Sequence, residues 1–134
     1  MRGEFVDVAG TRLYYYAAGT RGGGDPVVFL HGFPGSSYAW RLVVPLMPEG
    51  RRLVVPDLMG SGRSDGPGPG GGAIGDHAKL ITGLLDDLGV ERAALVGHGF
   101  GGAVALAVAV DQPARVSALA LVATPAFDAW PRRL

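Results

Sequence analysis

Between Ala94 and Val110 the chain reads ALVGHGFGGAVALAVAV, an apolar run that enters a glycine-rich turn and leaves as an alanine-rich stretch. Two chemistries fit that turn. Gly97, Gly99 and Gly102 have the spacing G-x-G-x-x-G, which between a strand and a helix lets a dinucleotide pyrophosphate approach the backbone and rest on the helix N-terminus. Gly97, Gly99 and Gly101 also match small-x-nucleophile-x-small, the sharp elbow that exposes a nucleophile at the top of a sheet, except that glycine stands where the nucleophile should be. The dinucleotide reading requires an acidic residue at the end of the next strand, roughly 20 residues on, to hold the ribose. That strand closes with LVATPA, and Asp128 falls beyond it. The elbow is therefore the better reading, and no cofactor or metal is implied.

The elements around the turn are those of an α/β protein. FVDVAGTRLYYYAAG reads as two strands about a turn at Gly10, with Tyr14, Tyr15 and Tyr16 alternating between core and surface. PVVFLHG is a continuous apolar run stopped by Gly32, the pattern of a strand buried on both faces. Ser36 or Ser37 can cap a helix through YAWRLVVPLM to Pro48. RRLVVPDLMG is a second buried strand, and GSGRSDGPGPGGGAIGD a mobile loop. His77 opens a helix whose apolar stripe is Ile81, Leu84, Leu85 and Leu88. RAALVGHG is a strand, GGAVALAVAVDQP a helix closed by Pro113, and VSALALVATPA a last strand. Alternation of strands and helices after an N-terminal antiparallel hairpin predicts a mostly parallel sheet with helices on both faces. The last strand has no later segment to cover it, so self-association through that edge is an expectation.

Bulk composition narrows the partners. At 134 residues and 48% hydrophobic the chain has material for one buried core. Its 12 basic and 12 acidic side chains balance, so neither nucleic acid nor an anionic membrane has an electrostatic claim on it; a small neutral or apolar molecule fits better. The absence of cysteine excludes disulfides, thiolate catalysis and cysteine metal sites. MRGEFVDVAG has no apolar signal region and Ala103–Val110 is too short to span a bilayer, so a cytoplasmic protein is expected. The single lysine, Lys79, among eleven arginines reads as base-composition bias of a bacterial kind.

Three stretches at strand ends point the same way: HGFP (His31, Gly32, Phe33, Pro34), DLMGSGRSD from Asp57, and GHGFGG (Gly97, His98, Gly99, Phe100, Gly101, Gly102). In this order and spacing they resemble the α/β-hydrolase fold family, within it the epoxide hydrolase and haloalkane dehalogenase branch. The resemblance covers nearly the whole chain and the N-terminal half of such an enzyme: one partial domain over 1–134, with the lid and C-terminal strands absent. It implies cofactor-free hydrolysis of epoxide, halide or ester bonds. Gly99 takes the place of the family's Ser or Asp nucleophile, and the backbone N–H groups of Phe33 and Phe100 would hold an oxyanion. His31, Gly32, Pro34, Asp57, Gly97, His98 and Gly101 are the supporting motif residues.

The remaining machinery is missing from this stretch. An elbow enzyme runs nucleophile, acid, histidine in chain order, yet no histidine follows Gly99. Asp111 and Asp128 are the only acids beyond it, and Ala123 and Thr124 stand where some dehalogenases place the acid. His31 is expected to bond neighbouring loops, His98 to be a packed motif residue, and Asp57 to accept N–H bonds from the Gly60–Ser64 turn. Ser36 and Ser64 read as cap and turn residues, and Trp40 and Trp130 as packing residues. Catalysis through this elbow is expected to be lost while the fold persists.

Overall fold

A computed structural model describes residues 2–20, 22–69 and 71–125. Strands β1 (Arg2–Val8) and β2 (Thr11–Ala18) form the expected antiparallel hairpin, with Val8 opposite Thr11. Its two-residue turn, Ala9 and Gly10, has positive φ at both positions (50° and 82°), the backbone that matches the right-handed twist of the flanking strands. Asp7 Oδ1 accepts from the Gly10 N–H at 2.9 Å and closes it.

Strands β3 (Val27–Leu30), β4 (Leu53–Pro56), β5 (Ala93–His98) and β6 (Val116–Val122) complete one six-stranded sheet in the order β1-β2-β4-β3-β5-β6. β2 runs antiparallel to β4; β4, β3, β5 and β6 are mutually parallel. The chain steps from β3 to β4 on one side, then crosses back to β5 on the other. The order therefore reverses at β3, and the crevice at the carboxyl ends of β3 and β5 is where open α/β sheets bind ligands.

Helix α1 (Ile74–Asp87) and helix α2 (Phe100–Asp111) lie side by side on one face of the sheet. Val28, Leu30, Val54, Ile81, Leu84, Leu85, Leu95 and Val104 form the core beneath them. On the opposite face Val27, Phe29, Leu53 and Val55 are capped by Trp40 and Val44, with the Phe29 and Trp40 rings 5.1 Å apart. Helical elements thus cover both faces, unequally.

The cover on that second face is not the predicted helix through Pro48. It is two short 3-10 helices, Ser37–Trp40 and Val44–Leu46. Pro45 lacks the donor an α-helix needs there, so the segment breaks into single turns. Ser36 caps the first, accepting from the Tyr38 N–H at 3.4 Å.

Three further expectations change. α1 starts at Ile74 rather than His77, because Asp76 Oδ2 accepts from the Ala73 N–H at 3.1 Å and secures an extra turn. The first part of the loop expected to be mobile is a bonded turn: Gly60 N–H donates to Asp65 O and Asp65 N–H to Arg12 O, at 2.8 and 2.9 Å. The tyrosines do not alternate between core and surface. Tyr14 and Tyr15 are both buried and Tyr16 is half-buried, since β2 has neighbours on both sides and packing on both faces. Asp128 and Trp130 lie outside the described residues.

β6 is an outer strand. Its residues from Ser117 to Val122 are exposed, Leu121 and Val122 by 41% and 48%. Among the described residues no helix is long and apolar enough to cross a membrane.

Candidate functional site

The turn from β5 to α2 has the geometry of an elbow. Gly99 sits at φ 54°, ψ −121°, outside the basins open to residues with a Cβ. Its N–H donates to Val122 O at 3.0 Å, and its carbonyl accepts from Gly102 and Ala103. The neighbouring glycines are closely packed against backbone. A Cβ on Gly101 would collide with the carbonyl oxygens of Leu30 and His31, and one on Gly97 would meet Gly101 O at 2.6 Å. At Gly99 there is room: a Cβ would find only Gly32 Cα, at 3.6 Å.

Loop His31–Pro34 faces this turn, with a cis Phe33–Pro34 peptide. Among the described residues neither the Phe33 N–H nor the Phe100 N–H takes part in a hydrogen bond. The Phe100 group belongs to the first turn of α2, whose N–H groups have no acceptor within the helix. These are the two N–H groups anticipated for the oxyanion.

The supporting residues lock the loops together. His31 is 1% exposed; Leu58 N–H donates to its Nε2 at 3.0 Å, which leaves Nδ1 to carry the proton and donate to Gly32 O at 2.8 Å. Burial pushes this imidazole below the usual histidine range, against the backbone bond to Gly32 and the Asp57 charge. Asp57 is 2% exposed and accepts from Arg63 N–H at 2.9 Å, as expected, and also from Ser37 N–H at 2.7 Å. Ser64 is a turn residue: Oγ accepts from Tyr14 N–H at 2.9 Å and donates to Asp57 O at 2.7 Å. His98 extends to the sheet face away from the helices and is exposed, although Nδ1 lies beside Gly32.

Between the elbow and α1 lies a cavity of about 830 Å³, mostly apolar in lining. Gly32, Phe33, Gly99 and Phe100 form one side, Leu58, Met59 and Ser61 another, and Ala123, Thr124 and Pro125 a third. No Asp or Glu is among its described lining residues, and among the described residues no cluster of potential metal ligands occurs. His77, read from the sequence only as a helix start, lines it too. It stands one turn before Leu80 and Ile81 on the buried stripe of α1, and that register was the signal that could have found it. His77 is 6% exposed, its ring meets the Phe100 ring edge-on at 5.0 Å, and Nδ1 is buried without a partner among the described residues. Burial lowers its pKa, partly opposed by Asp76 and reinforced by His31.

Fold, elbow and donor pair define a class. Residues 25–133 match the family model of the alpha/beta hydrolase fold, and the chain belongs to that family. Within it the chain is 41% identical over 123 residues to a 2-hydroxymuconate semialdehyde hydrolase of Pseudomonas sp. (strain CF600), covering 90% of this chain and 42% of the relative. It is 34% identical over 118 residues to haloalkane dehalogenase 2 of Mycobacterium tuberculosis, covering 88% and 40%. The crystal structure of epoxide hydrolase A from Mycobacterium thermoresistibile superposes with a TM-score of 0.85 at 38% identity, over 99% of this chain and 41% of that one. The resemblance to the epoxide hydrolase and dehalogenase branch holds, and the chain spans about two fifths of the length of these relatives.

Proposed function

We propose that this chain is an α/β-hydrolase-family protein whose elbow is chemically empty. Its lineage chemistry is cofactor-free hydrolysis of epoxide, halide or ester bonds, in which an elbow side chain attacks carbon and water then cleaves the covalent intermediate. The observation that carries the reading is Gly99 itself: an elbow backbone with no side chain, beside a cavity with no acid among its described lining residues. Phe33 and Phe100 N–H supply the oxyanion donors; His31 and Asp57 hold the loops that present them, and Gly32, Pro34, Gly97, His98 and Gly101 complete the motifs in which they lie. Without a nucleophile those donors have no tetrahedral intermediate to stabilise, and the covalent route is closed.

The test is to assay styrene oxide, 1-bromobutane and p-nitrophenyl acetate with the native chain, Gly99→Asp and Gly99→Asn. No turnover above the Gly99→Asn control is expected from any of them, since no histidine of this sequence follows the elbow to act as its base. Clear turnover by Gly99→Asp alone would refute the account.

A second reading, non-catalytic binding or self-pairing, is favoured by the two oxyanion N–H groups over an apolar cavity and by the exposed β6. Self-pairing through β6 predicts a dimer by light scattering that dissociates on Leu119→Pro, because proline removes a backbone donor from the edge. A monomer at all concentrations would exclude that version.

A further inference from the structure

Asp65–Gly66 is the one Asp–Gly pair in the sequence. The main-chain nitrogen that follows an aspartate can attack its side-chain carboxyl and close a succinimide ring, so access to that nitrogen governs the reaction. Glycine obstructs it least, having no Cβ and a wide choice of backbone conformations. The structure closes this route at the other described aspartates. The N–H groups of Leu58, His77, Leu88 and Gln112, which follow Asp57, Asp76, Asp87 and Asp111, donate to His31 Nε2, Ala73 O, Leu84 O and Val108 O. Asp25 precedes Pro26, which has no N–H. Asp7 and Asp86 lie inside β1 and α1, where regular backbone fixes the next residue.

Asp65 differs on each count. The Gly66 N–H has no partner among the described residues, and both residues are exposed and outside any helix or strand. A Cβ on Gly66 would meet nothing within 4 Å, so the nitrogen stands in open space. The Asp65 carboxylate faces Arg12 at 3.8 Å, with both side chains more than half exposed, a pair too weak to immobilise it. Asp65 O accepts from Gly60 N–H at 2.8 Å and Asp65 N–H donates to Arg12 O at 2.9 Å. Ring closure breaks neither bond, because that carbonyl stays in the ring as an acceptor and the Asp65 nitrogen takes no part.

We infer that Asp65–Gly66 is a self-modification site, at which aspartate converts to isoaspartate and lengthens the backbone beside the cavity. The Gly66 nitrogen bonds to Asp65 Cγ, and its proton leaves with the carboxyl OH as water. Water then adds to a ring carbonyl. Opening between Cγ and nitrogen restores aspartate; opening between the old main-chain carbonyl and nitrogen routes the peptide through Cβ and Cγ and frees that carbonyl as a carboxylate. Water is lost and regained, so mass and charge end unchanged. The backbone gains one bond, about 1.5 Å. Gly60 keeps an oxygen acceptor at residue 65, so the turn survives. The added length falls instead on Pro67, which lines the cavity with Gly60 and Ser61. That wall therefore changes with the age of the molecule.

The test ages the full chain in neutral buffer made with heavy-oxygen water, beside the free peptide Ser64–Lys79, which is also the tryptic fragment that carries the site. Electron-transfer fragmentation separates isoaspartate from aspartate at each position. Isoaspartate and labelled oxygen are expected at residue 65 of the chain at a rate comparable with the free peptide, and neither at Asp76 in the same fragment. Gly66→Ala, whose Cβ has open space, should keep the fold and lose nearly all of the product. Asp65→Glu keeps a charge opposite Arg12 and should form none, since its longer side chain closes a larger ring poorly. In the aged native chain the amide resonances of Gly60 and Ser61 should split into two sets, and in both variants they should stay single. Those spectra also report whether each variant is folded. No isoaspartate at residue 65 over a time that converts the free peptide overturns the inference. So does equal labelling at Asp65 and Asp76, or as much product from Gly66→Ala as from the native chain. Product without the splitting overturns the effect on the cavity wall.

Discussion

Placing a methyl group at Gly99 isolates the energy that glycine removes from the elbow. At φ 54° and ψ −121° a residue with a Cβ is strained, at a cost of roughly 1–3 kcal/mol. No steric term adds to this, because the new Cβ meets only Gly32 Cα at an ordinary 3.6 Å. Alanine also stiffens the unfolded chain, which returns roughly 0.4–1 kcal/mol. Gly99→Ala is therefore expected to destabilise by about 1–2 kcal/mol, a fall in Tm of about 3–10 °C for a chain of this size. Gly101→Ala is the control. There the Cβ collides with the carbonyl oxygens of Leu30 and His31, backbone atoms of a buried strand and loop that cannot swing aside, so the loss should exceed about 3 kcal/mol. Urea denaturation followed by far-ultraviolet circular dichroism measures both. A Gly99→Ala protein as stable as the native chain, or one damaged more than Gly101→Ala, would refute the assignment of strain to this turn.

Asp57→Ala leaves the Ser37 and Arg63 N–H groups without their acceptor and should cost about 2–5 kcal/mol, with Asp57→Asn losing less because one carbonyl oxygen remains; urea midpoints decide. Acid should weaken the fold through His31 and His77. Burial lowers both folded pKa values beneath the ordinary histidine value of about 6.5, so the unfolded chain binds more protons below that pH. Their contribution is complete above about pH 6.5 and declines as pH falls towards the folded values, by at most about 1.4 kcal/mol per pH unit for each group. Comparison of urea midpoints at several pH values should show this, and His77→Phe should flatten the slope by removing one of the two.

The strands and the elbow were legible because their signals are local. Unbroken apolar runs at Val27–Leu30 and Leu53–Pro56 are what burial on both faces requires, and both strands are buried throughout. Glycines at 97, 99 and 101 announced a turn of backbone on backbone. The segment after Ser36 misled because its hydrophobic content suits a helix while Pro45 forbids a continuous one, a conflict settled by packing against Phe29 and Val55. Three consecutive tyrosines invited a surface-core alternation that holds only for a strand with one bare face. His77 was the main omission from the site. Reading it at the head of α1 hid that α1 begins at Ile74, which puts His77 a full turn inside and rotates it towards the cavity. The second Asp57 bond was out of reach, since no pattern links Asp57 to Ser37, twenty residues earlier in the chain.

The loops beneath the cavity are held by a web that shares no atom with Gly99. His31 ties the end of β3 to Leu58, Asp57 ties Ser37 to Arg63, and Ser64 ties Tyr14 back to Asp57. Whatever stands at the elbow, the surrounding walls keep their shape. A molecule arriving there finds receptors already immobilised, so the ordering cost that ordinarily subtracts about 0.5–1.5 kcal/mol from binding for each side chain frozen has been met during folding. The side chain that an elbow carries and the cradle around it are thus separable in this architecture, because the bonds that fix the cradle lie elsewhere in the chain.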